Sequence, residues 1–334
     1  MKMPLTSASH MMNLFFRAAS QIMLPRTAKE RCVCILNYHR ILDSPDPLIE
    51  GDPDVKAFHW QMKLLSENFN VIPLQHAVRA IAENGDLPPR AACITFDDGY
   101  RSLHDLALPI LKKYKLPATV FVTSGHLDES NMWNDRIIEA LRRMPVGTLD
   151  LSEVAMNTWQ INSNRDRKRA AQEITKAVKY RPARMRQEIV CKIEMHAGTE
   201  GPSLMLTRKM IATLVENGIE IGAHTITHPI LRNLDDESAY NEISESKKQL
   251  ETIIGKPVNF FAYPNGKAGI DFDERHAKMA RNAGYTAAFA SSTGPAMSGH
   301  DLYQIPRCFP WDSNRLLFGM RLLRWLANNR RNAS

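Results

Sequence analysis

Apolar positions along the chain follow two spacings. Short and almost uninterrupted runs, such as Cys32-Val33-Cys34-Ile35-Leu36-Asn37-Tyr38 and Ala118-Thr119-Val120-Phe121-Val122, leave no polar face and read as strands covered on both sides. Elsewhere apolar residues recur every three or four positions, as at Phe58, Met62, Leu65 and Phe69, which predicts helices with one buried stripe. The resulting order is a strand at 32–38, a helix over 58–68, a short strand at 71–73 and a helix over 74–84. A strand running into Asp97 follows, then a helix over 103–114 and a strand at 118–122. The alternation resumes with a helix over 208–217, a strand at 219–223, a helix over 238–254 and a strand at 258–262. It closes with a helix over 273–283, a strand at 287–290 and a last strand at 304–306. Between about 134 and 206 the pattern breaks into long polar and basic helical stretches with no good strand.

Strands alternating with helices, and no Gly-x-Gly-x-x-Gly after the first strand, predict an α/β fold: a distorted (β/α) barrel with about seven parallel strands. The expected organisation is an N-terminal helical segment over 1–30, a barrel domain over 31–310 interrupted by a helical insertion at about 135–206, and a basic amphipathic C-terminal helix over 311–334. That last helix either caps the barrel or lies against the inner face of a membrane.

Composition narrows this little. With 334 residues, 44% hydrophobic and 24% charged, the chain buries an ample core without staples, which excludes a disordered or disulfide-scaffold class. The five cysteines, Cys32, Cys34, Cys93, Cys191 and Cys308, read as reduced core residues, and Cys32-Val33-Cys34 lacks the spacing of a zinc knuckle. A cytoplasmic location is expected, with the inner membrane surface as a peripheral site. Polar residues interrupt the run around Met11 to Phe16 before it reaches the length of a signal peptide or a membrane span. The net charge of +7 gathers in 165–186 and in the tail. It suits a polyanion, an anionic membrane surface or a solvated helical face equally. No nucleic-acid partner is expected, and no pattern fixes an oligomeric state.

The polar residues that interrupt this scheme collect at predicted strand ends: His39, Asp97, Asp98, Ser124, His224 and Tyr263. In a parallel barrel that is where chemistry gathers. Asp97-Asp98-Gly99 places two carboxylates on a turn that Gly99 can make. His224-Thr225-Ile226-Thr227-His228 sets two imidazoles four apart without the Glu of a His-Glu-x-x-His metalloprotease helix. Two imidazoles and one carboxylate suit an open catalytic zinc site, with cobalt, nickel, manganese or iron as alternatives. The same set occurs in non-haem iron oxygenases, whose all-β folds do not match this alternation.

Thr95-Phe96-Asp97-Asp98-Gly99 followed by His224-Thr225-x-x-His228 resembles the polysaccharide deacetylase family, the NodB homology domain of carbohydrate esterase family 4, over roughly 32–307 apart from the insertion. The resemblance implies a metal-dependent hydrolase that removes N-acetyl groups from an amino sugar in a polysaccharide or glycan precursor and releases acetate. It assigns Asp97 as the base and Asp98, His224 and His228 as metal ligands. Phe261-Ala262-Tyr263-Pro264-Asn265-Gly266 resembles the family's third motif, which implies a substrate or oxyanion role for Tyr263 and Pro264, with a backbone N–H near Tyr263 as donor. Two departures stand out. The arginine expected beside the base is missing from that motif, and Arg307, in Ile305-Pro306-Arg307, is the candidate to orient Asp97 in its place; the alternative is an ordinary exposed arginine. The late Leu-x-His motif is absent, but Asn37-Tyr38-His39-Arg40 resembles the early Tyr-His motif of exopolysaccharide deacetylases of the poly-N-acetylglucosamine type. His39 is therefore the candidate acid. Trp133 and Trp311 are either sugar platforms or core residues. The rival readings are a metal-dependent amide hydrolase acting on a non-carbohydrate C–N bond and an inactive scaffold of a polysaccharide pathway.

Overall fold

The computed structural model describes residues 5–25, 27, 31–128, 131–310 and 312–327. After helix α1 (Leu5–Met23) come β1 (Val33–Tyr38), α2 (Val55–Asn68), β2 (Asn70–Val71), α3 (Leu74–Ala82) and β3 (Ala91–Phe96). A π-helical turn at Leu103–Ala107 leads into α4 (Leu108–Tyr114), followed by β4 (Thr119–Val122). The insertion contributes α5 (Trp133–Arg143), β5 (Gly147–Asp150), β6 (Thr158–Ile161), α6 (Asn164–Val178) and α7 (Ala183–Ala197). Then follow α8 (Arg208–Glu216), β7 (Glu220–Ala223), α9 (Asp236–Ile254), β8 (Phe260–Ala262), α10 (Glu274–Asn282), β9 (Ala287–Thr293), β10 (Ile305–Arg307) and α11 (Arg315–Ala327).

Seven strands pair in parallel in the order β1-β3-β4-β7-β8-β9-β10, with the two-residue β2 beside the start of β3. The edges meet: Asn37 N–H donates to Cys308 O at 2.8 Å and Cys308 N–H to Ile35 O at 2.7 Å, so the barrel is nearly closed. Alternation along the strands sorts the core into two layers. Val33, Ile35, Cys93, Phe121, Phe260 and Phe289 fill the barrel, whereas Cys34, Leu36, Ile94, Phe96, Val120 and Val122 face the helices. Asn37, Thr95 and Asp97 continue the inward-facing series of β1 and β3, which is why a polar group sits at the top of an apolar interior.

The insertion differs from expectation in one respect: it contains an antiparallel hairpin, β5 with β6. Each strand has four residues, and only Leu149, Trp159 and Ile161 of the eight are buried, so the alternation is too brief to rise above its polar surroundings. The insertion has its own core, built on Ile137, Leu141, Leu149, Trp159, Ile174 and Ile193. A second difference concerns Cys191, which is exposed on α7; the other four cysteines are buried, and all five are free.

The C-terminal helix lies against the barrel. Phe318, Leu322, Leu323 and Leu326 of α11 are buried, in contact with α1, α2 and β1. Phe16 of α1 presses on Gly319 so closely that a Cβ there would lie 2.3 Å from its ring. Leu316 and Leu317 at the start of α11 stay exposed. Among the described residues no helix is long and apolar enough to cross a membrane.

Candidate active site

The strand ladders deliver the polar residues to one end of the barrel. Asp97 N–H donates to Tyr38 O at 2.9 Å and His224 N–H to Val122 O at 2.9 Å, so both residues still belong to the sheet. Beyond them the backbone turns sharply. Asp98 has φ +73° and Gly99 φ +85°, and Gly99 N–H donates back to Asp97 O at 2.9 Å. Two successive left-handed residues bring the Asp98 carboxylate round to the side on which Asp97 points, which an extended chain does not allow. The histidine segment is bent in the same way: Thr225 has φ +66° and His228 φ +57°. A β-branched residue at positive φ is costly, of order 1–3 kcal/mol, and persists only where its surroundings impose it. Those surroundings are visible. The Thr225 hydroxyl donates to His224 O and accepts from His228 N–H at 3.1 Å. Glu242 on α9 accepts from Ile226 N–H at 2.7 Å, Thr227 N–H at 2.9 Å and the Thr227 hydroxyl at 2.6 Å.

These turns assemble a triangle. Asp98 Oδ1 lies 3.4 Å from His224 Nε2 and 3.4 Å from His228 Nε2, and the three ligand atoms fall within 4.8 Å of one another. Ligands about 2.0–2.1 Å from a tetrahedral zinc stand about 3.3 Å apart, so the residues present fit such an ion. His224 Nδ1 donates to Ala262 O at 2.7 Å, which fixes the tautomer whose Nε2 lone pair points toward Asp98. Burial, reinforced by the charge of His224, pushes His228 down to about 4, so this ring is neutral at physiological pH. Burial would also lower His224, but the carboxylates of Asp97 and Asp98 override it and raise it. Burial would raise Asp98, yet the imidazoles gathered around it, His224 foremost, hold it well below the usual carboxylate range.

Asp97 is held differently. Arg307, fully buried at the last position of β10, donates from Nη1 to Oδ1 at 2.7 Å and from Nη2 to Oδ2 at 2.7 Å. Two of its other donors go to Ala290 O at 3.2 Å and Asn37 Oδ1 at 3.3 Å, and Asn37 Nδ2 donates to Asp97 Oδ2 at 3.0 Å. Burial would raise the Asp97 carboxyl, but the guanidinium outweighs it and keeps it below its ordinary value. Of the four lone pairs, Oδ2 uses two and Oδ1 one, so a single acceptor position remains on Oδ1. Asn37 was not singled out in the sequence, although a polar residue in an otherwise apolar buried strand was the available signal. Arg307 is the partner of Asp97 and not an exposed arginine.

His39, half-buried just past β1, lies close to the carboxylates of Asp52, Asp97 and Asp98. Tyr263 is not free to donate: its N–H goes to Phe289 O at 3.1 Å and its hydroxyl to Tyr303 O at 2.9 Å, with the ring stacked on Phe272. Pro264 has no N–H. The residue this turn presents to the pocket is Asn265, at φ +59°, followed by Gly266, where a Cβ would sit 2.5 Å from Ser291 Oγ.

A cavity of about 150 Å³ adjoins the triangle, lined on the barrel side by Asp98, His228, Ile230 and Asn265. Its other wall belongs to the insertion, through Trp133, Thr175, Lys179 and Arg186. One face of the Trp133 ring is covered by the Arg186 guanidinium at 4.9 Å, so it does not offer that face to a sugar. Trp311 lies outside the described residues.

A parallel barrel with an Asp-His-His triangle beside a clamped carboxylate defines a candidate metal-assisted hydrolase. Residues 84–288, well over half of the chain, match the sequence profile of the polysaccharide deacetylase family. The chain therefore belongs to the polysaccharide deacetylase family, hydrolases that act on N-acetyl amide bonds. It is 21% identical over 283 residues to YxkH of Bacillus subtilis (strain 168), which bears the same family description, covering 84% of this chain and 72% of that one. It is 33% identical over 119 residues to the poly-β-1,6-N-acetyl-D-glucosamine N-deacetylase of Staphylococcus aureus (strain MSSA476), covering 32% of this chain and 41% of that protein. Among solved structures, the Streptococcus pyogenes deacetylase PplD in complex with acetate superposes with a TM-score of 0.60 at 19% identity, over 88% of this chain and 98% of that one, which extends the likeness of fold to the whole barrel.

Proposed function

We propose that the Asp98-His224-His228 triangle holds a divalent metal ion, zinc first, and that Asp97 beside it is the base that hydrolyses the N-acetyl group of an amino sugar in a polysaccharide or glycan precursor. The observation that carries this reading is the contrast between the two adjacent carboxylates: one shared by two imidazoles, the other clamped by a buried arginine. When bound, a divalent ion supplies Lewis acidity toward the acetyl oxygen and lowers the pKa of water toward ~7.

Asp97 uses the open position on Oδ1 to take the proton of the attacking water. Arg307 keeps Asp97 ionised and fixes its plane. Arg307 thus acts through Asp97 as a positioning residue. His39 donates a proton to the departing amine nitrogen as the general acid. Asn265 borders the cavity beside the triangle. The name of the Staphylococcus aureus relative supports N-acetylglucosamine as the amino sugar. Leu316 and Leu317, exposed beside Arg315 at the start of α11, are the residues through which peripheral contact with an anionic membrane surface is proposed.

Metal analysis together with acetate release from N-acetylglucosamine oligosaccharides tests the reading. Asp97→Asn should keep its metal and lose more than ~10²-fold in turnover, whereas His224→Ala should lose both. Full activity of Asp97→Asn would refute the base assignment. A metal-loaded wild-type protein that releases no acetate from these or from anionic N-acetylated glycans would refute the function.

A further inference from the structure

The basic stretch at 165–186 has no part in the chemistry above, and much of its charge is spent at the surface. Lys168 pairs with Glu50, Arg169 with Asp166 and Arg184 with Glu188. Lys179, just past the end of α6, and Arg186, in the first turn of α7, are different. Both are half-buried and both line the cavity that Asp98 and His228 share. Among the described residues neither forms an ion pair with a carboxylate. Arg186 donates to Lys179 O at 3.4 Å and lies over Trp133, which fixes the plane of its guanidinium. The Lys179 ammonium lies 5.6 Å from the Tyr180 ring, with Asp271 attracting and Lys267 repelling it from beyond ion-pair distance. Burial lowers both groups, so each would gain from a counter-charge that the chain itself does not supply.

The cavity suits such a counter-charge in size. Its roughly 150 Å³ is the space of about five waters at ~30 Å³ each, enough for a phosphate or for a carboxylate with its attached carbon. The side occupied by Asp98 becomes electropositive once the triangle holds its ion, so an anion there faces cations on both walls.

We propose that this cavity is a subsite for an anionic group, carboxylate or phosphate, carried by the substrate next to its N-acetylated sugar and held between Lys179 and Arg186. The subsite rests on the hydrolase reading above and specifies its substrate: an anionic glycan or a phosphorylated sugar rather than a neutral homopolymer.

The test compares kcat/KM for acetate release from three substrates: a neutral N-acetylglucosamine oligosaccharide, an oligosaccharide of alternating N-acetylglucosamine and glucuronic acid, and N-acetylglucosamine bearing a diphosphate at its reducing end. Wild type should favour one of the anionic substrates by about tenfold or more, and which of the two it favours identifies carboxylate or phosphate as the group. Lys179→Met and Arg186→Gln should each reduce that preference ratio at least about fivefold, and Arg186→Lys should retain more of it than Arg186→Gln. Melting temperature and metal content, measured alongside, separate lost recognition from lost structure. Equal rates on all three substrates, or wild-type ratios in the folded variants, overturn the subsite and leave the hydrolase standing. No acetate from any of the three overturns both.

Discussion

Replacing Arg307 with methionine isolates what a buried counter-ion does for the base. The side chains of Arg307 and Asp97 are 0% and 4% exposed, and the substitution removes two charge-assisted hydrogen bonds of 2.7 Å, leaving the carboxylate only the Asn37 amide. Breaking a buried pair from one side costs about 3–5 kcal/mol, because the remaining charge is stranded. With ~2.1 cal/mol/K of unfolding entropy per residue, 334 residues give ~0.7 kcal/mol/K, so the melting temperature should fall by about 4–7 °C. Asp97→Asn combined with Arg307→Met removes both charges and should recover much of that loss. The pH dependence has a definite sign. Arg307 holds the folded-state pKa of Asp97 down, a contribution to stability present above the unfolded value of ~3.9 and lost as pH falls through the folded one. Without Arg307 the folded-state pKa moves up. The stability deficit of the variant should therefore shrink on acidification, and the acidic limb of its acetate-release profile should shift to higher pH. Thermal melts at pH 5 and 7 and a rate profile across that range provide the measurement. A deficit below ~1 kcal/mol, with an unmoved acidic limb, would show that Arg307 neither compensates nor tunes Asp97.

His39→Ala should lower kcat by roughly 10²–10⁴ with unchanged metal content, and an unaltered rate would send the search for the acid elsewhere. Glu242→Gln weakens the carboxylate that gathers Ile226 and Thr227, and should reduce metal affinity about 10–100-fold in a chelator competition; equal affinity would mean the histidine turn holds itself. Zinc at a hundredfold excess over its dissociation constant should stabilise the folded chain by about 2.7 kcal/mol, and in His224→Ala that gain should vanish.

The barrel was legible because strands buried on both faces leave continuous apolar runs, and because Asp97-Asp98 and His224 lie at the ends of such runs. What sequence could not supply was depth. Arg307 follows a proline in a short segment that reads equally well as surface; only closure of β10 onto β1 carries it inside. The expected donor was a backbone N–H near Tyr263; strand pairing takes that of Tyr263 itself, and the residue facing the pocket is Asn265, two positions on. The insertion hid its hairpin in alternations too short to register. Its use as a wall of the pocket depends on where α6 and α7 fold back, which no local pattern records.

The insertion packs around hydrophobic residues of its own, apart from those that fill and clothe the barrel. The surface it turns toward the triangle is thus supported from outside the structure that aligns the reacting groups. A change of size or charge at Thr175, Lys179 or Arg186 alters what is admitted without touching the strand ends that carry Asp97, Asp98 and His224. Recognition and hydrolysis can consequently diverge at different rates in descendants of this chain, one lineage exchanging its glycan for another while inheriting the same means of cleaving it.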